Sequence, residues 1–135
     1  MKEITVSVLI NKEEKVLLLK RLPDKEFDPE KWEFVSGFVR ENKSLEENAT
    51  EQLFYETAVK GKLIQTGKSF EVDDQYGKWL IHPFLFETDS IKVKVKDCDH
   101  SEYKWVAANT LQKFNCVKDL EKNLESLGIL RKSDL

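Results

Sequence analysis

The chain has 135 residues, of which 40% are hydrophobic and 35% are charged, and its formal net charge is -3. This length predicts one domain over residues 1–135, and the composition excludes a disordered chain. No apolar run approaches the ~20 residues that span a bilayer, and the N-terminus lacks a signal-peptide pattern. The negative charge argues against a broad nucleic-acid surface. We therefore expect a cytoplasmic protein that has neither a membrane nor a nucleic acid as partner.

The first part of the chain predicts three strands and a helix. Ile4–Ile10 and Lys15–Arg21 are apolar runs separated by a polar turn, which predicts a hairpin. Residues 22–31 are rich in proline and acidic side chains and predict a loop. Trp32–Val35 predicts a short third strand, and an amphipathic helix is expected over Leu45–Ala58.

The next part of the chain predicts further strands. Lys62–Val72 and Lys78–Glu87 form a predicted hairpin. Pro83 lies inside its second arm and cannot donate a ladder hydrogen bond, so we expect an edge position or a bulge there. Ile91–Val95 alternates apolar residues with lysine, which predicts a half-exposed strand, and Glu102–Val106 predicts the last strand.

The C-terminal part predicts helices. Asn109 is expected to cap a short helix, and Val117–Leu127 predicts a terminal helix that ends at Gly128. The order is strands, a helix, strands and a terminal helix. This order predicts a mixed sheet with helices packed on it, either an α+β fold or an α/β/α sandwich.

The central helix carries the most informative residue. Ser44 and Glu47 have the spacing of a capping box at its start. At ~100° per residue, Glu56 falls beside the apolar stripe, and Gln52 lies one turn before it; the stripe consists of Leu45, Ala49 and Leu53. A glutamate on an apolar face must be paired, hydrogen-bonded or bound to a metal. Glu56 is therefore either paired with a cation such as lysine or a residue of a functional site.

Residues 37–59 resemble the Nudix box, whose pattern is G-x5-E-x7-R-E-U-x-E-E-x-G-U with U an apolar residue. The flanking segments resemble the same family, with VSVLINKEEKVLLLKR as its opening hairpin, WEFVSG as its WEFPGG and EYKWV as its late strand. The similarity covers roughly the whole chain. It implies an α/β fold, specifically a Nudix-like α/β/α sandwich with a mixed β-sheet. Members typically hydrolyse a nucleoside diphosphate linked to another group, using magnesium or manganese.

The box departs from its pattern at most chemically important positions. Gly37, Leu53, Glu56 and Val59 match it. The pattern's first glutamate, its arginine, the following glutamate, the first of the paired glutamates and the late glycine are replaced by Lys43, Glu51, Gln52, Tyr55 and Ala58. One box carboxylate remains, whereas hard cations need several oxygen ligands. Tight magnesium binding in the usual geometry is therefore not expected.

The resemblance also implies the residues of a site. Glu56 is the expected catalytic residue and metal ligand, and Glu102 is expected as a second catalytic group. Asp99 and His100, in the polar loop before the last strand, are further candidates for a general base or ligand, unless this loop is simply solvated. Substrate contacts are expected from Gly37, Phe38, Gln52 and Tyr55. The cofactor is Mg²⁺ or Mn²⁺ if the protein is active, and none otherwise.

Three functions remain open at this point. The first is binding of a nucleotide or another phosphorylated metabolite, with weak or absent pyrophosphohydrolase activity. The second is a working, metal-dependent pyrophosphohydrolase with rearranged ligands. The third is a protein-interaction module in which Phe54, on the outer side of the helix, contacts a partner or a second copy in a homodimer.

Overall fold

The computed structural model describes residues 1–131, which form a mixed sheet flanked by helices. The strands are β1 (Lys2–Ile10), β2 (Lys15–Arg21), β3 (Trp32–Glu33), β4 (Val35–Phe38), β5 (Lys62–Thr66), β6 (Phe70–Asp74), β7 (Gly77–Glu87) and β8 (His100–Ala107). The helices are α1 (Leu45–Thr57), a 3₁₀ helix (Ala108–Lys113) and α2 (Glu121–Ser126). The last four residues of the predicted domain, 132–135, lie outside this part of the chain. Within it, no helix has both the length and the apolar character to cross a membrane.

The sheet is organised around β1 and β7, which run parallel to each other. The order along its main path is β3-β2-β1-β7-β5, with β4 also paired to β1, β6 to β7 and β8 to β2. The other strand pairs are antiparallel. The predicted mixed sheet is therefore confirmed.

The sheet buries side chains on both faces. Along β2, Val16 and Leu18 belong to one core, whereas Leu17 and Leu19 belong to the other. Successive side chains of a strand point to opposite faces, so an uninterrupted apolar run serves two cores at once. One core includes Leu53 of α1, and the other includes Leu124 of α2. This layering confirms the α/β/α sandwich.

The predicted strand Ile91–Val95 is wrong. Residues 91–96 have no regular secondary structure. Their backbone instead meets the end of α1, where the Lys94 N–H donates to the Thr57 carbonyl at 3.0 Å. Val93 and Val95 pack against the core on the α1 side. The alternating pattern therefore reflects an irregular segment with one apolar side, rather than a strand.

The predicted edge position or bulge at Pro83 is met on one side of its strand only. Pro83 lies opposite Val6 in the parallel β1–β7 pair, inside the sheet. On its other side the neighbouring chain is interrupted between β5 and β6, where the Gly67 N–H donates to the Pro83 carbonyl at 2.9 Å. The N and C=O of one strand residue point to the same side. The missing N–H of Pro83 therefore faces the interruption, which splits the predicted arm Lys62–Val72 in two.

The predicted boundaries of the remaining elements are partly wrong. The third strand breaks at Phe34 and resumes as β4. Asn109 does not cap the 3₁₀ helix, because that helix begins after Ala107 and has no side-chain cap. The terminal helix begins at Glu121, later than expected. The prediction that it stops at Gly128 agrees with the structure, since this glycine has a φ of 73°, which other residues rarely adopt.

Candidate functional site

The start of α1 is fixed by polar contacts. The predicted capping box is present: Ser44 Oγ accepts from the Glu47 N–H at 3.0 Å, and Glu47 Oε1 accepts from the Ser44 N–H at 3.1 Å. One turn later, Asn48 Nδ2 donates to Thr5 Oγ1 of β1 at 2.9 Å. The capping bonds are exposed, whereas the Asn48 bond is buried and sets the position of the helix on the sheet, and thereby the position of the residues near its C-terminal end.

Glu56 lies near the C-terminal end of α1 and is 5% exposed. Its Oε1 accepts from Gln52 Nε2 at 3.1 Å, and its Oε2 lies 3.0 Å from His100 Nδ1. Gly37 lies directly against this group, since a Cβ there would stand 2.6 Å from Gln52 Oε1. The structure thus brings together three predicted site residues, Gly37, Gln52 and Glu56. The cation beside Glu56 is a histidine rather than a lysine.

His100, at the first position of β8, links Glu56 to a second buried carboxylate. Its Nε2 lies 2.9 Å from Glu33 Oε2, and Arg21 Nη1 donates to the same oxygen at 2.8 Å. Glu33 is 6% exposed. Sequence reasoning missed both Glu33 and Arg21. The available signal was a single acid inside the apolar run Trp32–Val35, because a buried carboxylate requires a partner.

The two carboxylates keep His100 protonated. Burial alone lowers the pKa of an imidazole, but here the hydrogen bonds and charges of Glu33 and Glu56 outweigh it and raise the pKa to about 9. The Nδ1 contact with Glu56 is off the direction of a linear hydrogen bond. A lone pair at that position would face a carboxylate oxygen and be repelled by it, so the N–H form is favoured.

Lys25 and Asp99 form a further ion pair beside this group. Lys25 Nζ donates to Asp99 Oδ1 at 2.8 Å. This bond raises the pKa of Lys25, to which the charge of Glu56 also contributes. Burial opposes ionisation of Asp99, but the bond from Lys25 lowers its pKa overall. Both groups are therefore charged at neutral pH, and Lys25 was not anticipated from the sequence.

Two other predicted site residues, Glu102 and Tyr55, are exposed at the surface. Glu102 of β8 is exposed, and its Oε2 lies 3.9 Å from Lys20 Nζ. Tyr55 is 51% exposed, and Lys96 Nζ lies 4.9 Å from its ring centroid. The charge of Asp99 raises the pKa of Tyr55, so its phenol stays protonated and is a poor metal ligand. The catalytic role of Glu102 and the substrate role of Tyr55 stay predictions.

The donor set around Glu56 does not fit a divalent cation. Mg²⁺ and Mn²⁺ require several oxygen ligands, and two ligands of one Mg²⁺ lie at most ~4 Å apart. Glu33 and Glu56 instead face different nitrogens of one imidazole ring. Across residues 1–131, no three His, Cys, Asp or Glu side chains are grouped as metal ligands would be. Metal ligation by Glu56 would need a rearrangement and stays a prediction.

A cleft lined in part by Gly37 and Phe38 opens at the surface. Phe38 and Trp79 stack in its wall, with ring centroids 6.1 Å apart, and Phe38 is 54% exposed. Arg21 and Lys118 also line it. Its lining combines apolar side chains with a few polar groups, as small-molecule sites do. Three acids, Asp28, Glu33 and Asp74, line it as well. The cleft therefore offers an aromatic surface with side chains of both charges.

Comparison with known proteins places this fold in a family. Residues 1–127 match the NUDIX domain. No curated protein matches the sequence. A MutT protein from Methanosarcina mazei Go1 is 19% identical with a TM-score of 0.79, and the match covers 94% of this chain and 92% of that one.

Two further structures contain bound compounds or are named for an activity. The NUDIX domain of Shewanella oneidensis NrtR, complexed with ADP-ribose, is 20% identical, with a TM-score of 0.79 and coverage of 93% and 85%. A C. elegans Ap4A hydrolase, in a binary complex, is 14% identical, with a TM-score of 0.75 and coverage of 95% and 96%. At these identities the structures establish the fold, and the domain match over most of the chain establishes the family. The chain therefore belongs to the Nudix superfamily.

Proposed function

We propose that this protein binds a nucleotide or a nucleoside-diphosphate derivative and has weak or absent pyrophosphohydrolase activity. The observation that carries this proposal is the aromatic cleft beside Gly37, which contains Arg21 and Lys118. It lies next to a box in which Glu56 is already engaged by Gln52 and His100. The ADP-ribose complex of the Shewanella NUDIX domain supports the ligand class.

The cleft has the parts that such a ligand needs. The exposed ring of Phe38, backed by Trp79, gives a base a surface on which to stack. Arg21 and Lys118 supply positive charge for phosphate groups, and Arg21 also neutralises Glu33, one of three acids in the lining. Lys2 Nζ lies 4.9 Å from the centroid of Trp79, which adds a third cation at the same wall. A ligand that combines a flat ring with phosphates matches this arrangement.

Calorimetric titration with ADP-ribose tests the binding. We expect saturable binding that weakens about ten-fold in Phe38→Ala, because loss of a stacked base costs ~1–3 kcal/mol. Phe54→Ala is the matched control, since Phe54 is similarly exposed but lies on the outer side of α1, away from the cleft. No binding of ADP-ribose, ADP or ATP would contradict the proposal, as would equal losses in both variants.

Hydrolysis assays separate this proposal from the active-enzyme alternative. We expect negligible turnover of a panel of nucleoside-diphosphate derivatives with magnesium or manganese. Clear turnover that disappears in Glu56→Gln would favour a metal-dependent pyrophosphohydrolase with rearranged ligands. A cytoplasmic location and a homodimer stay predictions.

A further inference from the structure

Three acidic side chains, Glu33, Glu56 and Asp99, each contact a basic side chain of the protein. Glu33 meets Arg21 at 2.8 Å and His100 at 2.9 Å. Glu56 meets His100 at 3.0 Å. Asp99 meets Lys25 at 2.8 Å, and their side chains are 22% and 28% exposed. Each of the three carboxylates is therefore already in contact with a basic side chain.

The cations come from parts of the chain outside the box. Arg21 ends β2, Lys25 follows it in the loop, and His100 begins β8. Arg21 is itself fixed by a bond from its Nε to the Phe27 carbonyl at 2.8 Å. Of the three, His100 contacts Glu56 directly, whereas Arg21 and Lys25 contact Glu33 and Asp99. We refer to Arg21, Lys25 and His100 as the internal cation set.

We propose that the internal cation set takes the place of divalent metal at this site, so that phosphate-bearing ligands bind without Mg²⁺ or Mn²⁺. A divalent ion at a site of this kind neutralises carboxylates and phosphates and orients them. Here the carboxylates are neutralised by the protein. An incoming metal would have to displace paired, largely buried cations before it reached Glu33, Glu56 or Asp99.

The Arg21 side chain connects this set to the cleft. It bonds Glu33 and also lines the cleft beside Gly37. A phosphate group in the cleft would therefore meet a guanidinium that is already oriented, with donors left for an anion. The part of the proposal that concerns phosphate ligands rests on the proposed function, whereas the displacement of metal concerns the chain alone.

Calorimetric titration with Mn²⁺ alone tests the displacement. For the unaltered protein we expect no site tighter than ~1 mM. Lys25→Met removes the partner of Asp99 and a positive charge near Glu56, so we expect Mn²⁺ to bind at least about ten-fold more tightly. Lys25→Gln is the second variant if the first fails to fold. Lys122→Met is the matched control, because it also leaves an aspartate, Asp119, without its lysine partner but outside the site.

The outcomes are distinct. Micromolar Mn²⁺ binding by the unaltered protein would overturn the proposal. Equal Mn²⁺ affinity in the folded Lys25 variant and in Lys122→Met would also overturn it. The dissociation constant of ADP-ribose should agree within about two-fold in EDTA and in excess Mg²⁺, and a ten-fold gain with Mg²⁺ would contradict metal-free binding. If ADP-ribose binds in neither buffer, the proposed function fails, and the Mn²⁺ titrations still decide the displacement.

Discussion

Two groups of charged side chains lie along α1, and they differ in their access to water. In its first half, Glu51 pairs with Lys43 at 3.1 Å and with Arg40 at 3.5 Å, and these side chains are 31–45% exposed. Near its other end, Glu56 and His100 are only 6% and 4% exposed. The exposed group can replace any lost partner with water, whereas the buried group cannot.

The replacements in the box pattern fall into two kinds that follow this difference in exposure. The pattern has glutamate and then arginine where this chain has Lys43 and Glu51, so the charges are exchanged and the two side chains still form a pair. Gln52 and Tyr55 replace glutamates without such an exchange. The one glutamate that remains, Glu56, is instead paired with His100, a residue far along the chain.

The largest expected effect is the loss of His100 from the buried group. In His100→Gln, Glu33 and Glu56 lose a shared cation while remaining buried, which costs about 3–5 kcal/mol of unfolding free energy. Urea unfolding at pH 6.5 measures it. The matched control is His82→Gln. His82 contacts Ser69 and Glu3, but the Glu3 side chain is 44% exposed and can be hydrated. Equal losses in the two variants would contradict the role assigned to burial.

The second prediction concerns pH. The ordinary pKa of histidine is ~6.5, and the folded protein raises that of His100 to about 9. Its contribution is therefore complete below pH ~6.5 and is lost as the pH rises through 9, which amounts to about 3 kcal/mol. Burial raises the pKa of Cys116 to about 11, so its thiol ionises first in the unfolded chain, from pH ~9 upward, and adds to the loss at pH 9.5. Urea unfolding free energies at pH 6.5, 8 and 9.5 measure the trend.

The variant His100→Gln distinguishes the contribution of His100 to this pH dependence from that of other titratable groups. His100→Gln should lose most of the decrease between pH 6.5 and 9, although it is less stable throughout. An unchanged slope in this variant would assign the pH dependence to other groups.

The third prediction concerns the contact between Gly37 and Gln52. In Gly37→Ala, the new Cβ would stand 2.6 Å from Gln52 Oε1, so Gln52 must move and lose its bond to Glu56. We expect a loss of about 1–2 kcal/mol. Adding Gln52→Ala removes the clash, so a double-mutant cycle should show that the Gly37→Ala cost falls markedly in that background. An additive cycle would contradict the proposed contact.

The sequence predicted features that depend on neighbouring residues or on one strong pattern. The capping box at Ser44 is local, and the two-sided burial of β2 follows from an unbroken apolar run. The strand predicted at Ile91–Val95 failed because its alternating residues pack against α1, a tertiary contact that alternation alone does not reveal. Glu56 was identified because an acid on an apolar helix face needs a partner.

The partner of Glu56 could not be identified from neighbouring residues in the sequence. His100 was one candidate among several in its loop, and only the pairing of β8 with β2 brings it to Glu33 and Glu56. Lys25 lies in a loop whose sequence gives no indication of the Asp99 contact, 74 residues away. The family pattern directed attention to α1, whereas the compensating charges come from elsewhere in the chain.

The smallest expected effect is at the exposed pair. Lys43→Gln and Glu51→Gln should each change the unfolding free energy by no more than about 0.5 kcal/mol, because both side chains are well hydrated and exposed pairs contribute little. The reciprocal exchange, Lys43→Glu with Glu51→Lys, restores the order of charges in the box pattern and should be as stable as the parent. However, Arg40 lies 3.5 Å from Glu51 and would then face a lysine. If the exchanged protein is less stable at low salt and recovers as salt is added, repulsion from Arg40 accounts for the loss; a salt-independent loss would contradict a purely surface role for this pair.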